Sequence, residues 1–331
     1  MIDHTSQILV TGGAGFIGSN LVHQLAQTKA RVTILDNLVN GKSQNIQALL
    51  NEKVQFVQGD VRNLDLVKSL CNNVDVVFHL ACLGVRHSLK NPHENHAVNA
   101  TATLNLLDIA HQAKVKRFVY VSSSEVYGTA RTVPMVEDHP TYPMTVYGAS
   151  KLAGECYTRA YFESYGFPTV VVRPFNSFGP RSHHEGDSGE VIPKFMLRAM
   201  AGKPLIIFGD GKQTRDFTFV EDTARGILLA GICDEAIGQT INLGQGNEIS
   251  INELAREVGE AVGVIPNIIY DSPRPGDVLR LYANSLRAKK LLGFAPKVSL
   301  QTGLLALKTW YLQMDIPPEL LLQSERPRNW E

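Results

Sequence analysis

Two side chains four residues apart carry the most chemistry in this chain: Tyr147 and Lys151, in the run Tyr147-Gly148-Ala149-Ser150-Lys151. At that spacing both lie on one face of a helix. An ammonium beside a phenol, with a second positive charge close by, favours the phenolate and draws its pKa down from about 10. Such a tyrosine can take the proton of a sugar or alcohol hydroxyl while the carbon beneath gives up a hydride. A serine from the run Ser122-Ser123-Ser124 would share that proton through a short hydrogen bond. Alone, the pair reads as an ordinary surface helix, so the case depends on a hydride acceptor elsewhere in the chain.

The stretch Gln7–Gly18, QILVTGGAGFIG, supplies a place for one. An apolar strand runs into a glycine-rich turn and then into an amphipathic helix over Phe16–Ala26. Gly12, Gly15 and Gly18 stand where a strand must turn tightly, admit a pyrophosphate to backbone N–H groups, and pack a helix on a sheet. The positive end of that helix then faces the phosphates. The next strand, Arg31–Leu35, ends at Asp36, whose carboxylate can accept both ribose hydroxyls of an adenosine and would repel a 2′-phosphate. This favours NAD over NADP; Arg31 and Lys42 are the cations near enough to soften the preference.

Stepping along the chain, β and α patterns alternate. Strands are expected at Val54–Val57, Val74–Leu80, Arg117–Val121 and Val170–Phe175, with a helix over Asn99–Ala113 between the second and third of these. That repetition predicts an α/β fold: a Rossmann doubly wound parallel sheet with a smaller C-terminal α/β substrate lobe. Asp60, at the end of the third strand, either meets the adenine or caps the following helix. The segment 177–193 is long, polar and glycine-rich, as a substrate-covering loop would be. Pro204–Phe208 with Gly209-Asp210-Gly211 reads as a strand and tight turn, a ledge for a nucleobase.

The bulk numbers exclude several alternatives. The 331 residues carry 32 basic and 32 acidic side chains, so no overall charge calls for nucleic acid or a membrane surface. Cys71, Cys82, Cys156 and Cys233 form no Cys-x-x-Cys pair and read as reduced thiols, which fits a cytoplasmic protein. The N-terminus shows no signal pattern, and no apolar run approaches membrane-spanning length. His183 and His184 lack partners at ligand spacing, so no metal is expected.

Taken together, TGGAGFIG, Asp36, Ser122–Ser124 and YGASK resemble the extended short-chain dehydrogenases/reductases, specifically the NAD-dependent nucleotide-sugar epimerase/dehydratase family, UDP-glucose 4-epimerases among them. The resemblance implies NAD as a tightly held, recycled cofactor. It implies a Rossmann domain over residues 1–176, rejoined by about 216–240, and a nucleotide-sugar-binding domain over 177–331. It assigns catalysis to Ser123, Tyr147 and Lys151, with Ser124 and Glu125 as further candidates. Gly12, Gly15, Phe16, Ile17, Asp36, Asn37, Asp60 and Val61 would line the adenosine and diphosphate of the cofactor. Leu80, Ala81, Cys82, Asn99 and Ser122 would continue that wall, with Tyr147, Lys151 and Pro174 near the nicotinamide. Arg86, Ser123, Asn176, Val191, Arg215 and Arg280 would meet the substrate, the last two arginines gripping its phosphates, although each alone reads equally as a solvated charge.

Oxidation at sugar C4 would be the shared first step, and the residues after it pull in different directions. A 4,6-dehydratase needs a base for C5 and an acid for the C6 hydroxyl; Glu125 supplies the base, whereas Ser124 is a poor acid. Some GDP-mannose dehydratases and UDP-glucuronate decarboxylases resemble this Ser-Glu arrangement. Gly84-Val85-Arg86 and the RPGDVLR segment look more like UDP-sugar 4-epimerases, the preferred expectation. Arg86 can pair with the C6 carboxylate of a uronic acid or cap a helix. A non-catalytic NAD-binding regulator is the reading from another class; the intact Ser123, Tyr147 and Lys151 set argues against it. The helices Asn99–Ala113 and Lys151–Tyr165 have outward faces that would pair into a homodimer.

Overall fold

The computed structural model describes residues 6–274 and 276–330, so Pro275 of the Arg-Pro-Gly-Asp run lies outside it. Seven strands form one parallel sheet: β1 (Gln7–Thr11), β2 (Arg31–Asp36), β3 (Val54–Gln58), β4 (Val76–His79), β5 (Arg117–Val121), β6 (Thr169–Pro174) and β7 (Thr240–Leu243). Their order is β7-β6-β5-β4-β1-β2-β3. Strand order therefore reverses between β1 and β4, and the crevice beyond the carboxyl ends of those two strands is where such a sheet takes its ligand.

The inner strands β1, β4, β5 and β6 are buried on both faces, which is why they read as largely apolar runs. In β1, Ile8 and Val10 enter the core on one face, packed with Leu21, Val22 and Leu25 of the helix Phe16–Ala26 and with Ala224 and Ile227 of Val220–Ile232. Leu9 enters the other, with Leu106 and Leu107 of Ala102–Gln112. This alternation is the period-2 signature of a strand.

The helix expected over Asn99–Ala113 differs in an informative way. It is preceded by Pro92–His96 and by a wide π-helical turn over Ala97–Thr101. Such turns insert one residue and re-aim side chains, and here Asn95 and Asn99 both point at the loop after β4. Asn99 accepts the Leu83 amide at 2.8 Å and donates to its carbonyl at 2.9 Å, while Asn95 donates to the Leu83 carbonyl at 2.9 Å.

The remaining chain builds a second core from Phe195, Leu197, Leu205, Phe217, Leu254, Val258, Leu304 and Leu307. Its strand Leu205–Phe208 pairs in parallel with Ile268–Asp271. Its helix Ile251–Val262 begins with a capping box, Ser250 and Glu253 satisfying each other's backbone N–H. Between Val220 and Leu243 the chain returns to the main sheet, adding helix Val220–Ile232 and β7.

Candidate active site

The turn after β1 is built from backbone. Gly12 has φ +70°, and a Cβ there would stand 2.6 Å from the Ala81 amide nitrogen. Only glycine allows the β1 turn to lie against the end of β4 in this way. Gly15 then precedes the helix Phe16–Ala26 with no side chain capping it, which leaves the helix N–H groups facing the crevice. Asp36, at the end of β2, is buried; its carboxylate accepts the amides of Ala14 at 3.0 Å and Leu38 at 2.8 Å. Burial raises its pKa, and those backbone N–H groups work against the rise.

The reacting end is set by helix Val146–Tyr165. Thr145 caps it, accepting the Gly148 amide at 3.2 Å. Two glycines bring the helix close: a Cβ on Gly148 would lie 2.8 Å from the Glu125 carbonyl oxygen, and one on Gly154 would collide with the Tyr120 hydroxyl. A buried ion pair then fixes the helix to the sheet. Arg173 of β6 donates through two nitrogens to Glu155, at 2.8 and 2.6 Å, and through a third to the Tyr127 hydroxyl at 2.7 Å. Ser122 donates to the same Glu155 carboxylate at 2.6 Å.

Tyr147 and Ser123 line the same cavity, and the phenol is deeply buried. Burial pushes the phenol well up, and the nearby Ser123 hydroxyl opposes this only in part. Lys151 is not spent on the phenol: its Nζ donates to the Val121 carbonyl at 2.6 Å and lies 4.8 Å from the centre of the Tyr120 ring. Burial lowers the Lys151 pKa, against the pull of Cys82 and Glu155.

One continuous cavity of about 640 Å³ joins these parts. It is lined by Gly12, Gly15, Phe16, Ile17, Asp36, Asn37 and Val61 at one end, and by Leu80, Ala81, Cys82, Ser122, Ser123, Ser124, Glu125, Tyr147, Lys151 and Pro174 in the middle. Arg86, Asn176, Val191 and Arg215 line it as well. The Asn176 side-chain oxygen is buried there without a hydrogen-bond partner.

Three predicted residues are outside that wall. Asp60 is held by Arg62, which draws its pKa down to about 2, and accepts from Asn37 at 2.9 Å; its neighbours Gly59 and Val61 reach the cavity instead. Asn99 acts from behind, through the Leu83 loop. Arg280 is exposed and paired with Glu248, its Nε donating at 2.8 Å. The arginine that does reach the cavity from the RPGDVLR segment is Arg274, whose guanidinium lies 5.4 Å from the Trp330 ring and 5.8 Å from the Phe208 ring. Its signal was the motif itself, which gives two arginines six residues apart and no rule for choosing between them.

Glu190, Lys194 and the C-terminal Glu325 and Asn329 were not legible as site residues. Burial pushes the Glu190 carboxyl up to about 7 and the Lys194 ammonium down to about 8. The loop before them closes on the chain's last turns: Asn329 donates to the Gly189 carbonyl at 2.9 Å, and Arg326 pairs with Asp187 at 3.0 Å. His183 and His184 face Glu185, at 3.2 and 3.3 Å, and Lys42 pairs with that same carboxylate at 2.7 Å.

A doubly wound sheet whose glycine turn shares one hollow with a Ser-Tyr-Lys set defines an enzyme of the dehydrogenase/reductase type that uses a dinucleotide. Residues 8–244 match the NAD dependent epimerase/dehydratase family, and the chain belongs to it. It is 37% identical over 300 residues to the UDP-glucose 4-epimerase of Mycolicibacterium smegmatis, covering 89% of this chain and 95% of the relative. The solved structure of an epimerase from Methanothermobacter thermautotrophicus is 38% identical with a TM-score of 0.90, over 96% of this chain and 95% of the other. The UDP-glucuronic acid 4-epimerase of Bacillus cereus, solved with UDP-glucuronic acid and NAD, is 33% identical with a TM-score of 0.88, over 93% and 99%.

The cofactor is NAD, and the crevice fits it. The close approach at Gly12, the open helix start at Gly15 and the buried Asp36 carboxylate are the three things a dinucleotide requires. Among the described residues, no helix is long and apolar enough to cross a membrane.

Proposed function

We propose that this enzyme inverts C4 of a UDP-sugar. The observation that carries the reading is that the Tyr147 phenol, Ser123 and Lys151 line one hollow together with the glycine turn and a set of arginines. When bound, NAD supplies the hydride acceptor and donor that such an inversion needs. Tyr147 takes the C4 hydroxyl proton and returns it, Ser123 orients that hydroxyl, and Lys151 holds positive charge beneath. Burial keeps the phenol protonated until a positive charge joins it.

Arg215 and Arg274 are the pair that would grip the diphosphate. Arg215 is steadied by Asp277 at 2.8 Å, and Arg274 is stacked rather than ion-paired, so its donors remain available. The lobe beyond residue 176 would hold the nucleotide sugar, with residues up to 176 and about 216–240 holding NAD. The names of the Mycolicibacterium and Bacillus relatives support uridine as the base.

Glu125 favours a second reading. Its side chain lines the cavity, no hydrogen bond holds its carboxylate among the described residues, and burial raises its pKa. It is suited to remove a C5 proton, as dehydration demands, or to serve a decarboxylation through the same C4 ketone.

Incubation with UDP-glucose and UDP-galactose, followed by chromatography and mass spectrometry, decides between them. The expected product has unchanged mass and inverted C4; release of water or carbon dioxide would replace epimerisation as the main reaction. Tyr147→Phe should slow turnover by about 10³-fold with NAD still bound. Glu125→Gln should leave epimerisation within a few fold; a stalled reaction that accumulates 4-keto sugar would favour the second reading.

The outer stripes Thr101, Leu104, Asp108 and Ala149, Cys156, Ala160 of two adjacent helices support pairing with a second copy. The four cysteines are free, which supports the cytoplasm. A monomer mass by light scattering at micromolar concentration would exclude the dimer.

A further inference from the structure

Arg86 stands at the start of the short helix Val85–Lys90 and lines the same cavity as the reacting groups. Its Nε is buried without an acceptor, and among the described residues its guanidinium makes no hydrogen bond or ion pair. A buried cation without a partner is expensive. Nearly every other arginine at this end is engaged: Arg198 with Glu325 at 2.9 Å, Arg215 with Asp277 at 2.8 Å. Arg274 is stacked over Trp330.

Arg86 is surrounded by charge that does not satisfy it. Arg274, Glu190 and Glu125 all act on its guanidinium, and the two carboxylates also act on the Tyr147 phenol. Neither carboxylate comes within ion-pair distance. Both have pKa values raised by burial, Glu190 up to about 7, so near neutral pH Glu190 is partly uncharged and repels an incoming anion weakly. What the pocket lacks on this side is an acceptor for a guanidinium, and a planar carboxylate is the group whose geometry matches it.

We infer that Arg86 is a specificity determinant for a sugar carrying a carboxylate, so that the preferred substrate is a UDP-hexuronic acid with its C6 carboxylate forked on the Arg86 guanidinium. The inference rests on the nucleotide-sugar reading above. Arg86 thereby ranks a uronic acid over the neutral hexose, and the diphosphate is left to Arg215 and Arg274.

Calorimetric titration of the NAD-loaded enzyme with UDP, UDP-glucose and UDP-glucuronate tests this. The enzyme should bind UDP-glucuronate at least about tenfold more tightly than UDP-glucose, the scale of one charge-assisted contact. Arg86→Gln should erase that ratio while leaving UDP within about threefold, and Arg86→Lys should recover part of it because the charge remains. Equal weakening of all three ligands in Arg86→Gln would make Arg86 a diphosphate ligand and overturn the inference. So would an enzyme with Arg86 intact that binds the two sugars equally. Failure to bind UDP at all would instead bring down the nucleotide-sugar reading, whatever the state of Arg86.

Discussion

The two ends of the cavity are made of different material. The cofactor end is mostly backbone: Gly12 against Ala81, an uncapped helix start at Gly15, and one carboxylate, Asp36, already satisfied by two main-chain amides. The substrate end is side chain, with Arg86, Glu125, Glu190, Lys194, Arg215 and Arg274 arriving from separate segments. Several of those groups have no partner or a displaced pKa. A main-chain cradle recognises what every dinucleotide shares, whereas an array of charged side chains recognises what distinguishes one sugar from another.

If that contrast is right, damage should be selective. The largest effect belongs to Gly12→Ala, which places a methyl against the Ala81 amide at a left-handed backbone position. It should cost retained NAD by at least about a hundredfold, measured by cofactor absorbance after purification; full NAD content would show that the turn tolerates bulk. Next comes Arg215→Ala, which should weaken UDP by about ten- to a hundredfold with NAD content unchanged. Loss of both ligands together would mean that the two ends are not separable.

The smallest effect is in pH dependence. Burial holds Glu190 up at about 7, from an ordinary 4.5. The fold therefore favours the neutral carboxyl, and its contribution to stability is complete below about pH 4.5 and lost as pH rises through about 7. Glu190→Gln should flatten the fall in Tm between about pH 5 and pH 8. An unchanged slope would assign that fall to other groups.

The same contrast explains what could be read from residues alone. Gly12, Gly15, Gly18 and Asp36 lie within thirty residues and obey a local rule, since turn, helix start and strand end must follow one another in the chain. Tyr147 and Lys151 obey one too, because a helix sets their spacing. Glu190, Lys194 and Glu325 obey none: each is a common surface residue type until the lobe folds around it. Arg280 could not be told apart from Arg274 for a related reason. In sequence it is as good an anion binder as Arg274, and only Glu248 on a neighbouring segment claims it. For Tyr147, spacing places Lys151 on the right face without saying what its ammonium bonds to, which is the Val121 carbonyl.

The bidentate pair between Glu155 and Arg173 joins the tyrosine-bearing helix to β6 without using any atom of the lobe's own core. The chemical engine is thus mounted on its chassis independently of the bodywork around the sugar. New preferences can be installed by exchanging the interchangeable panels at 86 and 274, in evolution or in the laboratory, without retuning the machinery beneath.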